Sequence, residues 1–135
     1  MKLQIVDDSE VISKRLVELL QDINGLEITS VAKDGLQALS DYNNYKPDII
    51  ILDLMIPQMN GLDVLRNIRY EDESTIIIIL SNYTQTYFRD ICDTLGANYF
   101  LDKSAEFDKV YQICKNQILT NLNVNTLNGE KGNDG

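Results

Sequence analysis

The stretch Asp48-Ile49-Ile50-Ile51-Leu52-Asp53 decides how this chain is read. Its apolar run is too short for a helix and rich in β-branched side chains, which fits a strand buried on both faces. Such strands belong in parallel sheets. The run ends abruptly in a carboxylate, and an unpaired acid directly after buried residues is costly, so Asp53 calls for a chemical reason.

Outward from this stretch the same signal recurs. Ile76-Ile77-Ile78-Ile79-Leu80 is a second buried strand, Leu3 to Val6 a third, and Tyr99-Phe100-Leu101 a shorter one. Leu26 to Ala32 alternates apolar with polar residues, as an edge strand does. Helical periodicity fills the gaps between them. Ile12, Leu16, Leu19, Leu20 and Ile23 form one stripe, with Lys14, Arg15, Glu18 and Asp22 opposite. Leu36 and Leu39 mark a second, shorter helix after Asp34-Gly35, and Leu62, Leu65 and Ile68 a third that Asn60 caps. Tyr87, Phe88, Ile91, Cys92 and Leu95 mark a fourth ending at Gly96, and Phe107, Val110, Tyr111, Cys114 and Ile118 the last. Strands alternating with helices over short connections predict a doubly wound α/β domain with a five-stranded parallel sheet and five helices.

The composition bounds what such a domain does. At 135 residues and 44% hydrophobic content there is material for one core. Residues 1–120 read as that domain, and 121–135, rich in Asn and Gly without an apolar stripe, as a disordered polar tail. With 12 Lys and Arg against 21 Asp and Glu, the net charge of −9 repels a phosphate backbone, so nucleic acid is excluded as a direct partner. No apolar run approaches the roughly 18 to 20 residues of a membrane span, and the N-terminus lacks a signal-peptide pattern, which predicts a soluble, cytoplasmic protein. Cys92 and Cys114 lie on apolar stripes as buried free thiols, and the absence of His removes zinc and Cys-His chemistry.

In an open α/β sheet, ligands gather at the carboxyl ends of the strands. There the sequence offers Asp7-Asp8, Asp53, Ser81, and Asp102 running into Lys103. Carboxylates converging on one rim repel each other unless one is protonated or a divalent cation is shared. All-oxygen ligands select a hard ion, Mg²⁺, for which Mn²⁺ substitutes. A carboxylate is also a nucleophile toward phosphorus, and an ammonium such as Lys103 and a hydroxyl such as Ser81 suit the arriving oxygens.

Together these residues resemble the receiver domain of two-component response regulators, of the single-domain CheY-like type, from Lys2 to about Leu119. The pattern comprises Asp7-Asp8, Asp53 within Pro47 to Gly61, Ser81, and Gly96-Ala97 leading to Phe100 and Lys103. The resemblance implies a flavodoxin-like strand order 2-1-3-4-5. It implies Asp53 as phosphoacceptor, Asp8 as a direct metal ligand, Asp7 as one through water, and Met55 through its backbone carbonyl. It further implies that Lys103 and Ser81 hold the phosphoryl group, while Ser81 and the aromatic Phe100 switch the face made of helix four, strand five and helix five.

Some positions depart from that pattern. Ser104 follows Lys103 where the family often has proline, and Ser104 reads instead as a cap for the last helix. Asn82 replaces a small residue, and Met55 and Tyr83 are bulky, which predicts slow loss of the phosphoryl group.

The expectation is a stand-alone signalling module rather than an enzyme, limited to self-catalysed phosphotransfer and slow autodephosphorylation. Its donor would be a histidine kinase or a histidine phosphotransfer protein, helix one being the expected contact. Its output would be binding to a downstream protein or phosphorylation-dependent homodimerisation. The alternatives are a receiver fragment of a longer regulator and a Mg²⁺-dependent phosphatase of the haloacid dehalogenase kind. Those phosphatases carry a second Asp two residues after the nucleophile, where this chain has Met55.

Overall fold

A computed structural model describes residues 1–134, with side chains through Leu122. The elements alternate as β1 (Lys2–Val6), α1 (Glu10–Leu20), β2 (Glu27–Ala32), α2 (Gly35–Tyr45), β3 (Ile49–Leu52), α3 (Gly61–Glu71), β4 (Ile76–Ser81), α4 (Thr86–Thr94), β5 (Tyr99–Asp102) and α5 (Lys109–Asp134). The sheet is parallel throughout, in the order β2-β1-β3-β4-β5. Because side chains alternate between faces along a strand, each central strand feeds two cores. Leu3, Ile5, Ile49, Ile51, Ile78 and Leu80 meet α1 and α5 on one face. Val6, Ile50, Leu52, Ile77 and Ile79 meet α2, α3 and α4 on the other. That double burial is why the isoleucine runs show no alternation.

Local chemistry sets the helix ends. The side chains of Ser9, Asp34 and Asn60 accept from backbone N–H groups of Ile12, Gln37 and Asp63, capping α1, α2 and α3. Gly96, at φ 99°, closes α4 as expected. The Gly96 N–H donates to Asp93 O and the Ala97 N–H to Cys92 O, the paired bonds of a Schellman motif.

Several expectations are corrected. Leu36 is exposed, and α2 buries Gly35, Ala38 and Tyr42 instead. The reason is tertiary: Gly35 is pressed against Met59, where any Cβ would meet the Met59 carbonyl oxygen, and this contact sets the rotation of the helix. Tyr87, assigned to the buried stripe of α4, is 68% exposed. Ser104 caps no helix. The Asp102 carboxylate accepts from the N–H groups of Ser104 and Ala105, forming a turn, and α5 starts only at Lys109. The backbone of α5 continues helically from Asn121 to Asp134, over most of the stretch read as a disordered tail. Adding a residue to an existing helix is inexpensive even for Asn. Leu119 and Leu122 are already exposed there, and the side chains beyond lie outside those described. Among the described residues no helix is long and apolar enough to cross a membrane.

Candidate functional site

Each strand-end acid is carried to the rim by its own ladder. The Asp7 N–H donates to Ala32 O, and the Asp53 N–H to Val6 O. Parallel pairing sets Val6 beside Leu52, so the residues that follow them, Asp7 and Asp53, emerge side by side. Lys103 arrives in the same way, its N–H donating to Ser81 O at the end of β4.

Carboxylate oxygens of Asp7, Asp8 and Asp53 lie within 4.8 Å of one another. Asp7 and Asp53 are buried and Asp8 is exposed. The Lys103 ammonium sits 2.8 Å from Asp7 Oδ2 and 3.1 Å from Asp53 Oδ2, itself only 9% exposed. Lys103 thus bridges two of the acids directly, a contact the linear sequence did not suggest. Asp7 Oδ1 also accepts from the Ser9 N–H, which ties this carboxylate to the start of α1.

The electrostatics follow from burial. Removal from water pushes the Asp53 carboxyl above its ordinary value, Lys103 draws it back, and Asp7 pushes it up again. Burial works against the charge on Lys103, but bonding to Asp7 and the charges of both acids hold its ammonium above the ordinary lysine value. Three carboxylates and one ammonium leave the rim two positive charges short. A divalent cation with oxygen ligands meets that deficit, so the donor set fits Mg²⁺ or Mn²⁺.

The rim opens into a cavity of about 480 Å³ whose lining includes Asp7, Asp8, Asp53, Met55, Asn82 and Lys103, together with Arg15 of α1 and Tyr83. The Met55 N–H lies 3.4 Å from Asp53 Oδ1, and the Met55 side chain is half exposed. Ser81 is fully buried, its hydroxyl oxygen accepting from the Tyr83 N–H at 2.9 Å. Phe100 is half-buried against the core under α2, α3 and α4. Asp102, which sequence reasoning grouped with the rim, faces its own turn instead.

Arg89 was missed, and Arg15, expected with Val11, Lys14 and Glu18 on the donor-contacting side of helix one, has a placement the sequence did not show. Arg15 lines the cavity from α1, its guanidinium 4.2 Å from the Phe107 ring centroid. Arg89 of α4 stacks over Phe100. Both partnerships join residues distant in the chain, so no local pattern could have revealed them.

A family model of the response regulator receiver domain matches residues 3–115. The chain belongs to that family. Its relatives include the chemotaxis protein CheY of Listeria monocytogenes, 32% identical over 112 residues that cover 83% of this receiver and 93% of that protein. The protein-glutamate methylesterase/protein-glutamine glutaminase of Trichodesmium erythraeum is 30% identical over 128 residues, 91% of this chain. The receiver spans only 36% of that relative's length. Among solved structures, the CheX-CheY-BeF3-Mg complex of Borrelia burgdorferi matches with a TM-score of 0.77 at 32% identity, covering 83% of this receiver and 84% of that chain. The response regulator domain of Thermotoga maritima CheB matches with a TM-score of 0.77 at 26% identity, over 91% and 96% of the two chains. The receiver is accordingly a phosphoacceptor signalling domain with the CheY-like fold.

Proposed function

We propose that this receiver takes a phosphoryl group on Asp53 from a histidine kinase or a histidine phosphotransfer protein and converts it into a binding signal. The observation that carries the reading is the three-acid cluster with Lys103 held between Asp7 and Asp53. A carboxylate oxygen of Asp53 forms the new bond to phosphorus while the donor's nitrogen or oxygen departs with its electron pair. Lys103 stays within reach of the Asp53 oxygens and pairs with a phosphoryl oxygen as it arrives, and Ser81 donates to another. Asp8, Asp53 and the Met55 carbonyl, with Asp7 through water, would hold Mg²⁺, or Mn²⁺ in its place, and the ion would supply charge neutralisation.

The output reading rests on Ser81 and Phe100, which end β4 and lie in β5 beside it. Ser81 moves toward the phosphoryl group, Phe100 fills the space released, and the face formed by α4, β5 and α5 acquires a new shape for a downstream protein or a second copy. Driving such a switch from 1:99 to 99:1 takes about 5.5 kcal/mol of preference for the active state. Residues 1–120 act as the module, in the cytosol, with 121–135 as a polar extension. Met55, Tyr83 and Asn82 at the cavity obstruct the hydrolytic water, so the acyl phosphate is long-lived.

The test is incubation with acetyl phosphate and Mg²⁺ followed by intact mass. A gain of one phosphoryl group, lost in Asp53→Ala, is the expected result. No gain, or a gain that survives the substitution, overturns the reading. A phosphoryl half-life of seconds in Mg²⁺-containing buffer would overturn the claim of persistence alone.

A further inference from the structure

Arg15 stands apart in this acidic protein. It is an exposed residue of α1 that lines the cavity holding Asp53, and its guanidinium lies 4.2 Å from the ring centroid of Phe107, a buried residue ahead of α5. Among the described residues no carboxylate lies within ion-pairing distance of Arg15. The other cavity cation, Lys103, is held between Asp7 and Asp53 and serves the phosphoryl group at the acceptor itself. A cation held by an aromatic face, with no carboxylate on it, keeps its N–H donors and its charge available to the rest of the donor. Stacking also fixes the planar group, which lowers the cost of ordering it against an incoming anion.

We propose that Arg15 recognises the phosphoryl donor: it meets the donor's anionic oxygens at the cavity and favours donors that carry more negative charge. This rests on Asp53 being the acceptor. With acetyl phosphate, a dianion, an Asp53 oxygen bonds to phosphorus, the bond from phosphorus to the acetyl oxygen breaks, and acetate leaves with the electron pair. With phosphoramidate, a monoanion whose nitrogen is already protonated, the phosphorus–nitrogen bond breaks and ammonia leaves. The two donors deliver the same group to the same oxygen and differ in the charge they bring past Arg15. An electrostatic contact at an exposed residue acts more strongly on the dianion and weakens with salt.

The experiment measures second-order phosphorylation rate constants of the whole chain with Mg²⁺ at low ionic strength, using both donors. Arg15→Gln should lower the acetyl phosphate rate constant by about two- to fivefold, in line with an exposed ion contact. The phosphoramidate constant should fall by less, so the ratio of the two changes. Arg15→Lys should retain most of the preference, and the differences should vanish near 1 M salt. A purely structural role for the stack on Phe107 would shift both donors alike and would not respond to salt, which overturns the proposal, as do equal impairments of the Lys and Gln variants. An unchanged Arg15→Gln beside a wild type that phosphorylates normally defeats this inference and leaves Asp53 standing. A wild type that accepts no phosphoryl group from either donor defeats both.

Discussion

The guanidinium of Arg89 lies over the ring of Phe100, 4.6 Å from its centroid. The same side chain donates to Thr84 O at 3.1 Å and stands 3.9 Å from the Glu106 carboxylate, so it joins the loop after β4, the aromatic of β5 and the turn before α5. Any inward turn of Phe100 has to leave this contact. Arg89→Gln should therefore shift the rotamer balance of Phe100 inward by about two- to fivefold, the equivalent of a cation–π contact of about 0.5–1 kcal/mol. Side-chain NMR of labelled Phe100 in the unphosphorylated protein reads this directly, and an unchanged rotamer balance would count against it.

Lys103 holds the same carboxylates that fit a divalent cation. Lys103→Met removes one positive charge from Asp7 and Asp53, and the remaining deficit should raise Mg²⁺ affinity by about tenfold, or about 1.4 kcal/mol. Without Mg²⁺ the variant should be destabilised, because a buried charge cluster has lost its partner. Calorimetric titration and thermal melts with and without Mg²⁺ check both. Weaker Mg²⁺ binding in Lys103→Met would mean that the ammonium organises the acids more than it competes for them.

Gly61 is a packing requirement on Asp53. A Cβ there would run into the Asp53 carbonyl oxygen and lie 2.7 Å from Leu54 Cα. Both obstacles are backbone, which cannot rotate away. Gly61→Ala should cost about 1–3 kcal/mol, as overpacking does, and should slow phosphorylation of Asp53 even where the protein remains folded. Denaturant unfolding and the acetyl phosphate rate separate the two effects, and full activity would show that the loop relaxes.

Tyr42 and Asp72 give stability a pH dependence at both extremes. Burial, with the hydrogen bond to Asp72, raises the Tyr42 phenol from 10.0 to about 12. The raised folded value makes this contribution complete below pH 10 and loses it as pH climbs through about 12. Burial opposes ionisation of Asp72, but bonds from Thr75, Tyr42 and Ser74 hold its carboxyl well below the usual range. That depressed value makes its contribution complete above the unfolded carboxylate range and loses it as pH falls through the folded value. Tyr42→Phe should cost about 0.5–1.5 kcal/mol near neutrality and flatten the alkaline limb. Urea titrations across pH measure it, and an unaltered slope above pH 10 would locate the alkaline loss elsewhere.

Residues that act through immediate neighbours were readable in the sequence. Ile49 to Leu52 declared a doubly buried strand, Asn60 a cap and Gly96 a left-handed stop, and each stands where expected. Asp7, Asp8 and Asp53 followed because they terminate such strands, and parallel register then brings the ends together. What stayed hidden depends on rotation and reach. The face that α2 buries is set by Gly35 against Met59, and two leucines could not reveal that. Lys103 on Asp7, Arg15 on Phe107 and Arg89 on Phe100 are long side chains whose partners come from other elements.

The two ends of α4 are anchored unequally. At its C-terminus Arg69 donates to Gly96 O and to the Asn98 amide oxygen, and that same oxygen accepts from the Ile77 N–H, binding the helix end to α3 and β4. At its N-terminus Gln85 provides no side-chain cap, and Arg89 reaches back to the preceding loop at Thr84. The unequal anchoring makes Gly96 the fulcrum of α4, so a displacement arriving from the loop after β4 would be largest at Thr86 and Tyr87. Amide exchange should accordingly be fastest at Thr86 and slow toward Thr94, and a flat profile along α4 would remove the fulcrum.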